Sequence, residues 1–170
     1  MKKLIYLSIG LLTFALNTYA SSSNYAQPTI YVSIYNRDPA SSDDADEHHS
    51  LHYDREGTFS CVYFNPIANK IEPGNGTEVS MTYDKSDSVS SCYEGSTVPN
   101  GHFNFTYHYN KSGSDVFCTI DGVSPNGGTW NKPTVYYGGG VLCKVTTLDS
   151  SNSSYQVDIC PSTNLGPCQN

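Results

Sequence analysis

Residues 43–57, DDADEHHSLHYDREG, contain the side chains best suited to chemistry in this 170-residue chain. They include six carboxylates, one arginine and three of the chain's five histidines. Imidazole and carboxylate groups bind metal ions, transfer protons and change charge with pH. Four interpretations of this segment follow: a catalytic zinc centre, a metal-binding site, a pH-sensitive loop and a charged surface helix.

A catalytic zinc centre is suggested by His48 and His52, which have the spacing of the zinc-protease motif H-E-x-x-H. That motif needs a glutamate directly after the first histidine to activate the zinc-bound water. His49 occupies this position, so the general base is missing. The chain also has no G-x-S-x-G motif and no phosphate-binding glycine loop. We therefore predict no catalytic residues from sequence motifs.

Metal binding without catalysis needs only the ligands. His48, His49 and His52 are candidate ligands for Zn²⁺ or Cu²⁺. On a helix, His48 and His52 would lie one turn apart and could share an ion. Asp44 precedes His52 by eight residues, about 12 Å along a helix axis, so it cannot bind the same ion. No other motif indicates a cofactor.

The same segment also has the charge order of a surface helix. Ser42 is a good N-cap residue, acidic side chains crowd the first turn, and Arg55 and Gly57 come at the end. Helix propensity is low, however, so a loop fits equally well. We therefore predict a short helix or loop insertion at residues 42–56. Protonation of the three histidines would change the net charge of residues 43–57 from −5 to −2, which makes a pH-sensitive loop a further hypothesis.

Aromatic residues provide a second candidate binding surface. Rings beside Asn, Ser and Gly offer flat apolar faces with hydrogen-bonding groups at their rims, which suits carbohydrate or peptide ligands. Alternation in TIYVSIYN places two tyrosines opposite an aliphatic face, and other rings stand beside glycine-rich loops. The predicted binding residues are Tyr31, Tyr35, Trp130, Tyr136 and Tyr137. The alternative is that these rings cover a second sheet or form part of the core.

Six cysteines predict three disulfides. The chain lacks the C-x-x-C pairs of a zinc ribbon, and an even set of cysteines in an exported chain favours disulfides. The alternation in VFCTI and VLCKV turns two thiols toward a core, and a short proline-flanked loop separates the last two cysteines. The predicted pairs are Cys118–Cys143 from strand phase, Cys160–Cys168 from proximity and Cys61–Cys92 by elimination.

Apolar and polar residues alternate through most of the chain, as half-buried strands require. The clearest case is HFNFTYHY, in which Phe103, Phe105, Tyr107 and Tyr109 share one face. Turn signals rich in Gly, Pro, Asn and Ser separate the strands. We predict an all-β fold of about 7–8 short strands, either an antiparallel β-sandwich of immunoglobulin-like or jelly-roll type or a barrel.

Residues 1–20 have the three parts of a secretory signal peptide. Lys2 and Lys3 precede an apolar run too short to span a bilayer, and small residues lead to Ala20. We expect cleavage there, and a single disulfide-stabilised β domain at 21–170 without a transmembrane segment. The predicted location is secreted or periplasmic.

Charge and composition exclude one class of partner. The formal net charge is −7, and it would become −9 without the two signal-peptide lysines. Such a charge repels phosphate backbones, so we expect no nucleic-acid partner. The leading hypothesis is an exported, non-catalytic protein that displays Tyr- and Gly-rich loops on a disulfide-stapled β scaffold and binds an extracellular protein or a carbohydrate. The alternatives are a secreted metal-binding protein that uses His48, His49 and His52, and a small secreted hydrolase whose site cannot be read from the sequence.

Overall fold

Two five-stranded β-sheets contain the ten strands of the described residues. The computed structural model describes residues 28–39, 49–84, 92, 100–109, 116–151, 153–161 and 168, apart from the side chain of Arg55. The strands are β1 (Thr29–Asn36), β2 (Leu51–Ser60), β3 (Val62–Phe64), β4 (Lys70–Ile71), β5 (Gly76–Tyr83), β6 (Gly101–Tyr109), β7 (Phe117–Ser124), β8 (Thr134–Tyr137), β9 (Leu142–Thr147) and β10 (Ser154–Cys160). A short 3₁₀ turn, Pro125–Gly127, follows β7.

Sheet A has the strand order β3-β5-β1-β10-β9, and sheet B has the order β4-β2-β6-β7-β8. They form a sandwich rather than a closed barrel, which confirms the predicted all-β class. Paired strands are antiparallel except β1 and β10, which run parallel, so sheet A is mixed. The strand number exceeds the predicted one because β3 and β4 have only three and two residues, too few to show an alternation.

The predicted helix or loop insertion at residues 42–56 is wrong from Leu51 onward, where the chain forms β2. Leu51 is fully buried and lies opposite Tyr109 of β6, so contact with the core outweighs the weak local propensities. Gly57 is not a helix cap. It lies in a bulged part of β2, where an added Cβ would come within 2.9 Å of a carbonyl oxygen of β6. Residues 42–48 lie outside the described residues.

The core lies between the sheets and follows the predicted alternation. The inward residues of β1, β5 and β6 are buried: Ile30, Val32, Ile34, Val79, Met81, Tyr83, Phe103, Phe105, Tyr107 and Tyr109. Aromatic rings also join the sheets, because Phe59 of β2 stacks on Phe64 of β3 with ring centroids 4.1 Å apart. The alternate residues of these strands therefore lie on the two outer faces, where a ligand can reach them.

Three disulfides fasten the sandwich, and their pairing is the expected one: Cys61–Cys92, Cys118–Cys143 and Cys160–Cys168. The second joins β7 of sheet B to β9 of sheet A. Three disulfides are compatible with an extracellular or periplasmic location. Among the residues that the structure describes, no helix is long and apolar enough to cross a bilayer.

Candidate functional site

The outer face of β1 carries two of the predicted binding residues. Because the aliphatic residues of β1 point into the core, Tyr31 and Tyr35 point outward. Tyr31 is 41% exposed and lies on the central strand of sheet A. It is opposite Ser80 of β5 on one side and Ser154 of β10 on the other. Small hydroxyl side chains, not charges, are therefore its cross-strand neighbours.

Tyr35 differs from Tyr31 because its ring is occupied by neighbours. The guanidinium carbon of Arg37 lies 4.5 Å from the ring centroid. A Cβ added at Gly76, on the paired strand β5, would come within 2.6 Å of the ring, so the ring packs closely over that glycine. Arg37 also forms an ion pair with the buried Asp158, with 2.6 Å between Nε and Oδ1. Tyr35 is half-buried, and its ring already contacts Arg37 and packs over Gly76.

Tyr63 and Leu148 join Tyr31 on the outer face, and sequence reasoning missed both. Tyr63 is 67% exposed on β3, opposite Thr82 of β5. It escaped notice because the alternation in TFSCVYFN reads as one strand, whereas Cys61, with φ of 52°, separates β2 from β3. Leu148 follows β9 and is 53% exposed. Its backbone N–H donates to the Ser154 carbonyl at 2.8 Å.

These residues form a surface that we call the tyrosine face: Tyr31, Tyr63 and Leu148, with the hydroxyl residues Thr29, Ser80, Thr82 and Ser154. Tyr63 and Tyr31 lie on β3 and β1, which β5 separates, so their strands are roughly 10 Å apart at the usual spacing. Leu148 comes directly after β9, beside Ser154 of β10. The hydroxyls between them are partly ordered, because those of Thr29 and Thr82 are 2.9 Å apart. The amide of Asn65 donates to the Ser80 hydroxyl at 2.7 Å. A ligand would meet aromatic faces separated by neutral hydrogen-bonding groups.

The other three predicted binding residues lie elsewhere. Trp130 is a correction, since it is 3% exposed and therefore part of the core. Its indole N–H donates to the Pro28 carbonyl, and its ring lies 5.4 Å from that of Phe103. Tyr136 and Tyr137 are 56% and 48% exposed, but they lie on β8 at the edge of sheet B. The five predicted residues thus do not converge on one site.

The predicted histidine ligands have separate surroundings. His49 Nδ1 lies 3.0 Å from Oδ2 of the buried Asp38, whereas His52 lies on β2 beside His108 of β6. His48 lies outside the described residues. Among the described residues, no group of three or more His, Cys, Asp or Glu side chains could hold a metal ion. Within the described ranges, His49 and His52 therefore have different neighbours, Asp38 and His108.

His49 and Asp38 belong to a buried polar network. The Asp38 N–H donates to Oδ1 of Asn36 at 3.0 Å, and the Tyr109 hydroxyl donates to the same oxygen at 2.7 Å. Burial, together with the charge of Asp38, raises the pKa of Tyr109 well above its usual range. The network is consistent with a structural role, because it joins β1 to β6 and to the chain before β2.

A second imidazole–carboxylate pair lies on the outer face of sheet B. His102 Nε2 is 3.0 Å from Oδ2 of Asp121, which also accepts a hydrogen bond from the Asn104 amide at 3.1 Å. Sequence reasoning missed both pairs, because each depends on which strands become neighbours.

Comparison with known proteins adds no relative to these observations. The amino-acid sequence matches no family model and no curated protein. The features that bear on function are therefore those of the chain itself: the tyrosine face on sheet A and the histidine-bearing outer face of sheet B.

Proposed function

We propose that this protein is an exported, non-catalytic binding protein whose tyrosine face contacts a carbohydrate. The observation that carries the proposal is the exposure of Tyr31 and Tyr63 on one outer face, with neutral hydroxyls between them. An exposed tyrosine ring stacks on the apolar face of a sugar ring, and its hydroxyl remains free to hydrogen-bond. Two exposed rings on one face of a sheet offer more than isolated surface side chains, and this supports a binding role.

The chemistry around the rings favours a neutral ligand over a charged one. In the pairing of β1 with β5, the acidic residue nearest to Tyr31 is Glu78, two residue pairs beyond Ser80, opposite Ser33. The Ser33 hydroxyl lies 3.4 Å from a carboxylate oxygen of Glu78, at the margin of the face. Sugar hydroxyls can both donate and accept hydrogen bonds. The hydroxyls of Ser80, Thr82 and Ser154 can likewise act as donors or acceptors toward them.

The scaffold holds this face rigidly. Tyr31 projects from β1, which has a strand on each side, and the inward residues on both sides of it, Ile30 and Val32, are fully buried. Binding groups fixed by a sheet lose little conformational entropy when a ligand arrives. This supports recognition through preformed geometry, without a loop that must close.

Export is part of the proposal. Residues 1–20 have the pattern of a signal peptide, and three disulfides persist best in an oxidising compartment. We propose that the mature protein acts outside the cell or in the periplasm, where polysaccharides are abundant ligands.

A glycan array probed with the oxidised, full-length mature protein tests the proposal. We expect a set of related glycans to bind, and the double substitution Tyr31→Ser with Tyr63→Ser to weaken binding about tenfold or more, because central aromatic residues dominate such interfaces. The matched control is Tyr136→Ser with Tyr137→Ser, which removes two exposed tyrosines from β8 and leaves sheet A unchanged.

Two results would contradict the proposal. One is the absence of any saturable glycan binding by the wild-type protein. The other is an equal loss of binding in the β8 control, which would move the site to sheet B. If the protein bound no glycan but selected a peptide from a displayed library, its ligand would be a protein and not a carbohydrate.

A further inference from the structure

His52 and His108 form a cross-strand pair on the outer face of sheet B. They are directly opposite in the antiparallel pairing of β2 with β6, so their Cβ atoms project from neighbouring points of one face. Their ring centroids are 6.0 Å apart, and the ring planes differ by 32°. Two imidazoles bound to one tetrahedral ion have centroids about 5 Å apart, given metal–nitrogen bonds of about 2 Å. The observed separation of 6.0 Å is therefore about 1 Å longer than the separation in such a complex.

One nitrogen of this pair is buried without a partner. Nε2 of His52 is inaccessible to solvent and has no hydrogen-bond partner among the described residues. Buried polar atoms are almost always hydrogen-bonded, so an exception requires an explanation. His49 and His102, by contrast, each have one ring nitrogen 3.0 Å from a carboxylate oxygen. The unpartnered Nε2 of His52 is therefore available for another ligand.

An open groove reaches the His108 side of this pair. His108 and Asp54 both line an open groove of about 440 Å³, together with Thr106 and Thr119. Asp54 follows His52 by two residues and so projects from the same face of β2. Lys70 of β4 lies opposite His52 on the other side, but its ammonium group is 3.9 Å from the Glu72 carboxylate, which offsets its charge.

We propose that His52 and His108 bind one divalent late-transition-metal ion between them, with water completing its coordination. Imidazole nitrogen suits Zn²⁺, Ni²⁺ and Cu²⁺, and Cu²⁺ is bound most tightly by a given nitrogen set. The ion bonds to the unprotonated nitrogen of each ring, displaces water and involves no electron transfer. This site differs from the one expected at His48, His49 and His52, because its second ligand comes from β6, more than fifty residues away in the chain.

Titration calorimetry of the disulfide-intact protein with CuCl₂, NiCl₂ and ZnCl₂ tests the site. We expect one ion per chain, with affinity in the order Cu²⁺ > Ni²⁺ and Zn²⁺. His52→Gln and His108→Gln should each weaken Cu²⁺ binding about tenfold or more. His102→Gln is the matched control. His102 lies on the same face of β6 as His108, but its ring nitrogen contacts Asp121.

A second measurement does not depend on the variants folding. Cu²⁺ is paramagnetic and broadens the NMR signals of nearby nuclei. When less than one equivalent of Cu²⁺ is added to the wild-type protein, the signals of residues around His52 and His108 should therefore broaden before all others. Three results would overturn the proposal. Copper could bind the His52→Gln and His108→Gln variants as tightly as the wild type, the broadening could be centred on residues 43–49, or none of the three ions could bind stoichiometrically. The tyrosine face is on the other sheet, so these outcomes are independent of carbohydrate binding.

Discussion

At the scale of single residues, Asn36 shows how a buried polar group is accommodated in this core. Its amide is fully buried, and its nitrogen donates to the carbonyls of His49 and Ile71 at 2.9 and 3.0 Å. Its oxygen accepts from Asp38 and Tyr109. All four hydrogen-bonding positions of the amide are therefore used, which offsets the cost of removing it from water.

Tyr109→Phe tests this network. The substitution removes one donor to the Asn36 oxygen while keeping the ring, so we expect a loss of about 1–2 kcal/mol in the free energy of unfolding. Urea denaturation at neutral pH measures it. Tyr137→Phe, at an exposed ring on β8, is the control and should change stability little. Equal stability of Tyr109→Phe and the wild type would show that the hydroxyl contributes nothing.

Asp149 provides a prediction about pH. The hydroxyls of Ser153 and Ser151, with backbone N–H groups of Ser153 and Ser154, hold the pKa of its carboxyl well below the usual range. A carboxyl whose pKa is lower in the folded state stabilises the fold above its unfolded pKa, about 4, and this contribution disappears as the pH falls through the folded value.

The test compares wild type with Asp149→Asn. The stability difference between them should be constant above about pH 5 and should narrow as the pH falls below 4, because only the wild type loses ionised Asp149. Denaturation curves measured from pH 7 to pH 2.5 would reveal this. A difference that stays unchanged into acid would contradict the assignment.

At the scale of elements, β6 and β7 illustrate how strand register decides side-chain size. Phe103 of β6 lies directly opposite Gly122 of β7, and a Cβ at Gly122 would overlap the phenyl ring. The glycine is needed because the ring occupies the space above it. The alternation of the two strands predicts that both residues face inward, but it does not reveal that they are opposite each other.

Gly122→Ala should therefore destabilise the protein by about 1–3 kcal/mol through overpacking. Phe103→Leu in the same chain should recover part of that loss, because the smaller side chain leaves room for the new methyl group. A double-mutant cycle by chemical denaturation gives the coupling between the two positions. Strictly additive effects would mean that the two residues do not compete for space.

The limits of sequence reasoning also appear at this scale. Period-two alternation predicted the inward faces of β1, β5 and β6, since burial on one side leaves a pattern along the chain. It failed for residues 51–57 of β2, where charged residues and histidines mask the strand and, among the described side chains, only Leu51 is fully buried. Local propensity could not reveal that β6 and β4 would pair with this segment on either side.

At the scale of the whole molecule, the Cys118–Cys143 disulfide links the two sheets, whereas Cys160–Cys168 closes a short C-terminal loop. Replacing the first pair by alanines should cost about 3.5 kcal/mol and replacing the second about 2.5 kcal/mol. The first encloses 25 residues and the second 8, and a longer loop restricts the unfolded chain more. Thermal and chemical unfolding of the two double variants compares these losses. A larger loss from the short loop would contradict this ranking.

The candidate site depends on the molecule as a whole, and for that reason the sequence revealed only part of it. Tyr31 was predicted from the alternation of β1 alone. Tyr63 became its neighbour only because β5 lies between β3 and β1, and Leu148 only because β10 lies between β1 and β9. The same holds for His52 and His108, which meet through the pairing of β2 with β6.

Carbohydrate recognition by the tyrosine face is tested most directly by NMR titration of the ¹⁵N-labelled mature protein with the tightest-binding glycan from the array. We predict saturable shift changes in residues 29–33, 62–64 and 80–82, and in Leu148 and Ser154, with the outer face of sheet B unaffected. Changes centred on β8 or on the groove lined by Asp54 and His108, or no saturable change at all, would contradict the proposed function.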